Sequence, residues 1–380
     1  MAARLNQRQA RMVLGAVSGI GPVTIQRLLS HFRGDAAAIL QASVLELSQV
    51  KGLNRKMQQA LQAWEAAIDL GKVEQQMQKS HTCFVTPQDA VYPECLKLIH
   101  NPPVGLYWQG IDNLPERSIA IVGTRRPTLY GLRMAKLFAA ELAQAGFCIV
   151  SGLARGIDTA AHQGALEAGG QTVAVCGCGL DHIYPPENLD LLQSIVKQGA
   201  AVSEFPFGRR ADRQTFPMRN RIVTGMSQAL IVIESDASGG SLITARFAGE
   251  QGRALMAVPG RIDQASSAGC HQLIRDGATL VASVEDVLEE LKYNLPPSLQ
   301  LDFTPDLGAS DAPIERSKRT IPLSLDEKAV MQVFRGGERI HLDTIGELCD
   351  LSAQATAITV MQLELKHLLR KHTDGTYEAL

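Results

Sequence analysis

Between Ser118 and Ala282 the sequence alternates short, unbroken apolar runs with stretches of amphipathic helical spacing. The runs are Ile119–Val122, Phe147–Val150, Thr172–Val175, Ala200–Val202, Ala229–Ile233 and Ala254–Val258. A strand with one solvated face shows period-two alternation, whereas an unbroken run suits a strand covered on both faces. Such strands separated by helices build a doubly wound parallel sheet, the extended Rossmann-like form of the α/β class. Composition agrees: aromatics are only 5% of the 380 residues and 33 residues are glycine, a profile of α/β turns rather than of a β-sandwich. With 45% hydrophobic and 20% charged residues, a sizeable core can be buried and wholesale disorder is excluded.

Smaller modules flank this region. Residues 1–75 read as a helical domain. Leu14 to Leu29 places apolar positions on either side of Gly19-Ile20-Gly21, and Pro22 opens the next helix, where its missing N–H costs nothing. That spacing resembles a helix-hairpin-helix; a weaker copy follows at Val50-Lys51-Gly52-Leu53, with Asn54 in the second glycine position. Two readings stand: hairpins that aim backbone amides at a DNA phosphate, or a packing domain. Residues 76–117 supply an entry segment to the sheet, so the central domain spans 76–292. The stretch 293–322 carries five prolines and reads as a linker.

The remainder, 323–380, has the order of a winged helix. It holds six basic against nine acidic side chains, and its recognition helix, Ala353 to Leu365, has no Arg or Lys. Protein contact or a scaffold role is expected there rather than duplex DNA. A formal charge of −2 excludes a histone-like polycation but leaves room for a local basic patch. The seven cysteines are odd in number and scattered, as reduced thiols are. No apolar run approaches a membrane span and no secretory stretch is present, so a cytoplasmic protein with no membrane partner is expected.

In open α/β sheets ligands sit beyond the carboxyl ends of the strands, and the residues there are unusual. Gly123-Thr124-Arg125-Arg126-Pro127 follows the first run. Ser151-Gly152-Leu153-Ala154-Arg155-Gly156 follows the second, Ser238-Gly239-Gly240-Ser241 the fifth and Pro259-Gly260-Arg261 the sixth. Glycines expose backbone amides, hydroxyls add donors and arginines fork onto phosphate, so these loops predict a phosphate-binding surface. The segment Phe205–Gly225 holds Arg209, Arg210, Arg213, Arg219 and Arg221 against the single acid Asp212, with Phe205, Phe207 and Phe216 interleaved. Guanidinium groups that track phosphates beside rings that stack on unpaired bases suit single-stranded nucleic acid. Phe205 and Phe207 are expected in the core and Phe216 toward the ligand, while Asn220 adds a bidentate amide.

Enzyme readings fare worse. Gly177-Cys178-Gly179 lacks the third glycine of a dinucleotide fingerprint, and neither a GxxxxGK[ST] loop nor a GxSxG elbow occurs. Asp158 and His162, spaced i,i+4, could form a base pair or half a metal site; the expected reading is a helix-dipole acid with a packed histidine. Asp181-His182 beside Cys176 and Cys178 reads as a rigid turn ahead of Pro185-Pro186 rather than as a metal site. No catalytic residue, metal or cofactor is expected.

Together these residues resemble the DNA-processing protein A family (DprA, also called Smf). The resemblance lies in Val122-Gly-Thr-Arg-Arg-Pro127, Ser151-Gly-Leu-Ala-Arg-Gly-Ile-Asp158, Gly179-Leu-Asp-His-Ile-Tyr-Pro185, Phe216-Pro-Met-Arg-Asn-Arg-Ile222 and Gly239-Gly-Ser-Leu-Ile-Thr-Ala245. It extends to the flanking SAM or helix-hairpin-helix-like and winged-helix-like modules. The resemblance implies a protein that binds single-stranded DNA, protects it during natural transformation and loads the RecA recombinase. On this sequence it implies Arg125 as the principal phosphate clamp beside Gly123 and Thr124. Arg213 and Phe216 would line the strand path, supported by Arg219, Asn220 and Arg221. The loops Ser151, Gly152, Arg155, Gly156 and Gly239, Gly240, Ser241 would complete the pocket. It further implies a homodimer through His271, Ile274 and Leu280, on a surface that overlaps the one offered to RecA.

The sheet is also similar to that of nucleotide phosphoribohydrolases with a PGGxGTxxE signature. Here the stretch from Ser238 lacks the proline and places no glutamate at Arg246 or Phe247. The expectation is therefore a non-enzymatic binder, with a nucleotide-phosphate hydrolase of that type as the alternative.

Overall fold

The computed structural model describes residues 5–294, 323–334, 339–366, 368–372 and 375–379; from residue 295 the expected linker lies outside them. The chain divides into two compact units, Met1–Phe303 and Thr304–Leu380.

The first unit opens with helices α1 (Gln7–Ala16), α2 (Pro22–His31), α3 (Ala36–Gln41), α4 (Val44–Ser48), α5 (Arg55–Gln62), α6 (Trp64–Ala67) and α7 (Leu70–Lys79). Reciprocal Asn6–Gln9 and Ser43–Glu46 capping boxes start α1 and α4. Both hairpin turns are present. Gly19 and Gly52 take φ of 83° and 85°, the left-handed region open to glycine. Where the first hairpin has Gly21 before Pro22, the second has Asn54, whose side chain accepts from Met57 N and caps α5. The departure from a second glycine is thus a cap. Leu14, Leu28, Ile39, Leu47 and Leu61 close the core of this layer.

The sheet follows as β1 (Thr82–Val85), α8 (Glu94–Lys97), β2 (Leu106–Gly110), β3 (Ser118–Gly123), α9 (Leu129–Gln144), β4 (Cys148–Ser151), α10 (Ile157–Glu167) and β5 (Thr172–Val175). It continues through α11 (Leu189–Gln198), β6 (Ala200–Ser203), α12 (Thr215–Gly225), β7 (Ala229–Ile233), α13 (Gly240–Glu250), β8 (Ala254–Ala257), α14 (Ala268–Arg275), β9 (Thr279–Leu280) and α15 (Val284–Asn294). Every apolar run expected as a strand is one. The order is β1-β2-β6-β5-β4-β3-β7-β8-β9. Strands β3 to β9 pair in parallel, but β2 is antiparallel to β6 and β1 to β2. An all-parallel sheet is therefore corrected to a mostly parallel one. The entry segment crosses to this edge as an antiparallel pair, which needs no βαβ crossover.

Alternate residues of one strand serve opposite layers. Ile119, Ile121, Ile149 and Ile231 pack on α9, α10 and α15, while Ala120, Val122, Val150 and Val232 pack on α12, α13 and α14. Helices α9 and α10 approach so closely that a Cβ on Gly164 would lie 2.4 Å from Lys136 O and 2.8 Å from Lys136 Cα.

In the second unit α16 (Leu325–Val333), β10 (Ile340–His341), α17 (Leu342–Cys349), α18 (Ala353–Leu365), β11 (Leu369–Lys371) and β12 (Thr376–Ala379) surround Val330, Phe334, Ile345, Val360 and Tyr377. The strands pair antiparallel in the order β10-β12-β11. Leu348, Ile358 and Met361 are exposed. No helix among the described residues is long and apolar enough to cross a membrane.

Gly164→Ala tests the α9–α10 contact. Alanine gains about 1 kcal/mol of helix propensity, but its methyl meets backbone that cannot swing aside, an overpacking cost of about 1–3 kcal/mol or more. Urea denaturation should report a net destabilisation of about 1–2 kcal/mol.

Candidate functional site

The strand order reverses between β3 and β7, so the crevice of this sheet opens at their carboxyl ends. The start of α9, where a doubly wound nucleotide binder seats its phosphates, is occupied from within. Glu234, buried at the end of β7, accepts from Thr128 N at 2.9 Å and Thr128 Oγ1 at 2.5 Å. Its carboxylate lies where a Cβ on Gly131 would stand, 2.2 Å from Oε2, which explains a glycine in that first turn. Asp212 does the same for α12, accepting from Gln214 N at 2.8 Å and Thr215 N at 2.9 Å.

Beside the crevice, the loops after β3, β4 and β5 meet the start of α12 around a small cleft. Arg125, Gly152, Ala154, Arg155, Tyr184 and Phe216 line it, with Gly177, Cys178, Pro185 and Ala211. Its side chains form a ladder. The Arg125 guanidinium lies 4.8 Å from the Phe216 ring centroid, the Tyr184 ring 5.5 Å from Phe216, and the Arg155 guanidinium 5.9 Å from Tyr184. Each cation–π contact at an exposed site contributes about 0.5–1 kcal/mol, enough to align the rings without fixing them. Arg155 is also forked onto Glu187, Nε to Oε1 and Nη2 to Oε2 at 3.1 Å. The pair raises the Arg155 pKa and lowers that of Glu187.

Below the cleft lies Arg219, 3% exposed. Its Nη1 donates to Gly152 O and to Val175 O at 2.6 Å, and its Nε to Asn220 Oδ1 at 3.0 Å. A Cβ on Gly152 would collide with that guanidinium. Asp158 accepts from Gly152 N at 3.1 Å and Ala154 N at 3.3 Å. Burial pushes its carboxyl up, opposed by the charge of Arg219. The i,i+4 partner His162 is fully buried, with Nδ1 2.7 Å from Thr172 Oγ1. That hydroxyl donates to Ile149 O, so Nδ1 carries the proton, and Nε2 has no partner. Burial lowers its pKa to about 3. Asp158 thus lies in the first turn of α10 and His162 is packed in the interior.

The structure brings Arg125, Gly152, Arg155 and Phe216 together and redistributes the rest. Ser151 is buried with its hydroxyl on Ile121 O at 2.6 Å, because it ends a central strand and cannot reach a ligand. Thr124 N donates to Glu234 O at 2.8 Å and Gly123 packs against Ile233 O, so both join β3 to β7. Gly156, at φ 80°, lies against Thr124 O. Arg219 supports the floor from the interior, and the half-buried Asn220 braces it. Arg221 turns to the other side of α12, bonding Glu204 at 2.5 Å and Asn101 O at 2.6 Å; its acid stands one residue outside the basic segment. Arg213 is exposed at the entrance to α12.

The Gly239–Ser241 loop is not among the residues lining the cleft. Ser241 Oγ donates to Ser235 Oγ at 2.7 Å, closing that loop on itself across the switch point. Phe205 is buried and Phe207 packs edge-on against Tyr107 at 5.4 Å, as expected. His271 bonds Gly260 O at 2.9 Å, Ile274 packs against the core and Leu280 is exposed on the edge strand β9. Sequence reasoning missed Tyr184 and Glu187. The first stands immediately before the Pro185-Pro186 pair that marked a turn, which was the available signal; the second has none.

Residues 83–292 match the family described as DNA recombination-mediator protein A. The chain belongs to that family. Residues 11–62 match a SAM-like helix-hairpin-helix tandem, in agreement with the two turns. Protein Smf of Synechocystis sp. is 38% identical over 280 residues, covering 72% of this chain and 70% of its own length. DNA processing protein DprA of Bacillus subtilis is 43% identical over 202 residues, 53% of this chain and 68% of that protein. Among solved structures, DprA from Streptococcus pneumoniae aligns with a TM-score of 0.66 at 33% identity, covering 76% of this chain and 99% of that one. DNA processing protein A from Helicobacter pylori, described for its single-stranded DNA binding mode, aligns with a TM-score of 0.51 at 31% identity, covering 57% of this chain and 99% of that one.

A histidine whose folded pKa lies below its usual 6.5 stabilises the fold fully above that value and loses the contribution as pH falls toward 3. Relative to His162→Gln, the wild type should lose up to about 1.4 kcal/mol per pH unit over that window, read from urea midpoints at successive pH values.

Proposed function

We propose that the cleft is a single-stranded-DNA site through which this chain protects incoming strands and passes them to the RecA recombinase. The observation that carries this reading is the open ladder of Arg125 on Phe216: a cation and a ring that pair with each other in the free protein and match a phosphate and an unpaired base. The single-stranded DNA binding mode described for the Helicobacter pylori relative supports it. Phosphates would be gripped by Arg125 and Arg213, neither of which makes an ion pair among the described residues, and by Arg155 once it leaves Glu187. With Arg219 and Arg221 committed to the interior, about three phosphates are neutralised, and log affinity for a short strand should fall with log salt at a slope near −2.

The carboxylate of Glu234 at the start of α9 weighs against the nucleotide-hydrolase alternative, because a nucleotide phosphate there would meet an anion. Exposure of Leu280 on an edge strand supports a homodimer through His271, Ile274 and Leu280, on a surface that overlaps the one offered to RecA. The α-β-α-α-β-β order of residues 323–380 supports a winged-helix-like module that touches protein. The setting is cytoplasmic.

Fluorescence anisotropy with a labelled strand tests the cleft. Arg125→Ala should weaken binding uniformly across sequences, and Phe216→Ala should cost about 1–3 kcal/mol and act on unpaired strands. Glu187→Gln should tighten binding at low salt, because it frees Arg155. Strand binding indifferent to Arg125→Ala would remove the cleft from the DNA path. For the dimer, Leu280→Arg should halve the mass seen by light scattering.

A further inference from the structure

The helical layer of the first unit carries a second basic concavity. An open groove of about 680 Å³ lies between α2 and the second hairpin turn, lined by Arg27, Ser30, His31, Lys51, His100 and Asn101 among others, with no carboxylate in its lining. Arg27 and Lys51 are exposed and make no ion pair among the described residues. The groove is preformed. Gly52, at φ 85°, lets the second turn close on α2 so tightly that a Cβ there would lie 2.6 Å from Arg27 Nη1. Two uncompensated cations in a concave wall make a positive potential that attracts anions, above all a polyanion.

The cleft and the groove lie against the same helix, α12. That helix begins beside Phe216, and five residues on, about 8 Å along its axis, Arg221 Nη1 donates to Asn101 O at 2.6 Å, at the lip of the groove. Gln26, also in the groove, holds the same segment through Pro102 O at 2.9 Å. We propose that a single strand seated in the cleft continues over the α12 side into this groove, where Arg27 and Lys51 take backbone phosphates and Ser30 and Asn101 add polar contacts. The inference rests on the proposed strand-binding function and extends it: the site is longer than the cleft, and the hairpin layer is part of it. Contact there is with phosphate, so it carries no sequence preference.

Oligothymidylates of increasing length, titrated at several salt concentrations on the full chain, test it. For wild type the slope of log affinity against log salt should steepen beyond a threshold length by about 1.4, the contribution of two phosphates on a single strand. Arg27→Gln/Lys51→Gln should abolish that step while leaving short strands unchanged, and Arg27→Lys/Lys51→Arg should restore it. Between about 50 and 200 mM salt the step amounts to about a sevenfold difference in affinity lost. A double variant with the wild-type slope at every length would overturn the inference and leave the cleft intact. A loss seen only with duplex DNA would overturn it too, making the groove a duplex site. Failure of the wild type to bind any strand would instead remove the functional reading on which it rests.

Discussion

The guanidinium of Arg219 is the interaction on which the site depends. From the start of α12 it reaches the carbonyls of Gly152 and Val175, which end two neighbouring strands, and it offsets the buried charge of Asp158. A buried cation is tolerated only with its hydrogen bonds satisfied and an anion close by. Those conditions dictate much else. Residue 152 has no room for a Cβ, the Gly152–Ala154 amides turn toward Asp158, and Arg155 and Arg125 are held on either side of the rings above.

Electrostatics separates an inner set of charges from an outer one. Inside, acids and arginines are matched: Glu234 with the start of α9, Asp212 with the start of α12, Arg221 with Glu204. Each removes a place where a small anion could bind. Outside, Arg125, Arg213, Arg27 and Lys51 are exposed. The crevice of this doubly wound sheet is thus filled by its own carboxylates while the unpaired cations stand on the surface, a layout suited to a long anion rather than to a compact one.

Much of this was legible in the chain. The apolar runs became strands because a residue in a sheet buried on both faces must be apolar or find a hydrogen-bond partner inside, and Gly19 and Gly52 marked turns because few other residues accept their φ. The Asn54 substitution looked like a weaker hairpin and proved to be a helix cap. The antiparallel edge was not legible: Thr82–Val85 and Leu106–Gly110 are short and mark strands without marking direction. Among the residues expected at the site, Arg125 and Phe216 line the cleft, but Arg219 and Arg221 were grouped with them because a run of arginines looks the same whether it faces water or the interior.

Sequence by itself determined the class of fold, the position of every parallel strand but the short last one, the family and the two hairpin turns, since these follow from local periodicity and from residues with special backbone freedom. Tertiary structure decided which arginine stands exposed at the cleft and which is a buried brace. It also brought Tyr184 to the cleft and Glu187 to Arg155, closed the Gly239–Ser241 loop on Ser235 and joined the groove at Asn101 to α12. Those outcomes depend on partners distant in the chain, and the sign and burial of a charge's surroundings exist only after the strands have been placed side by side.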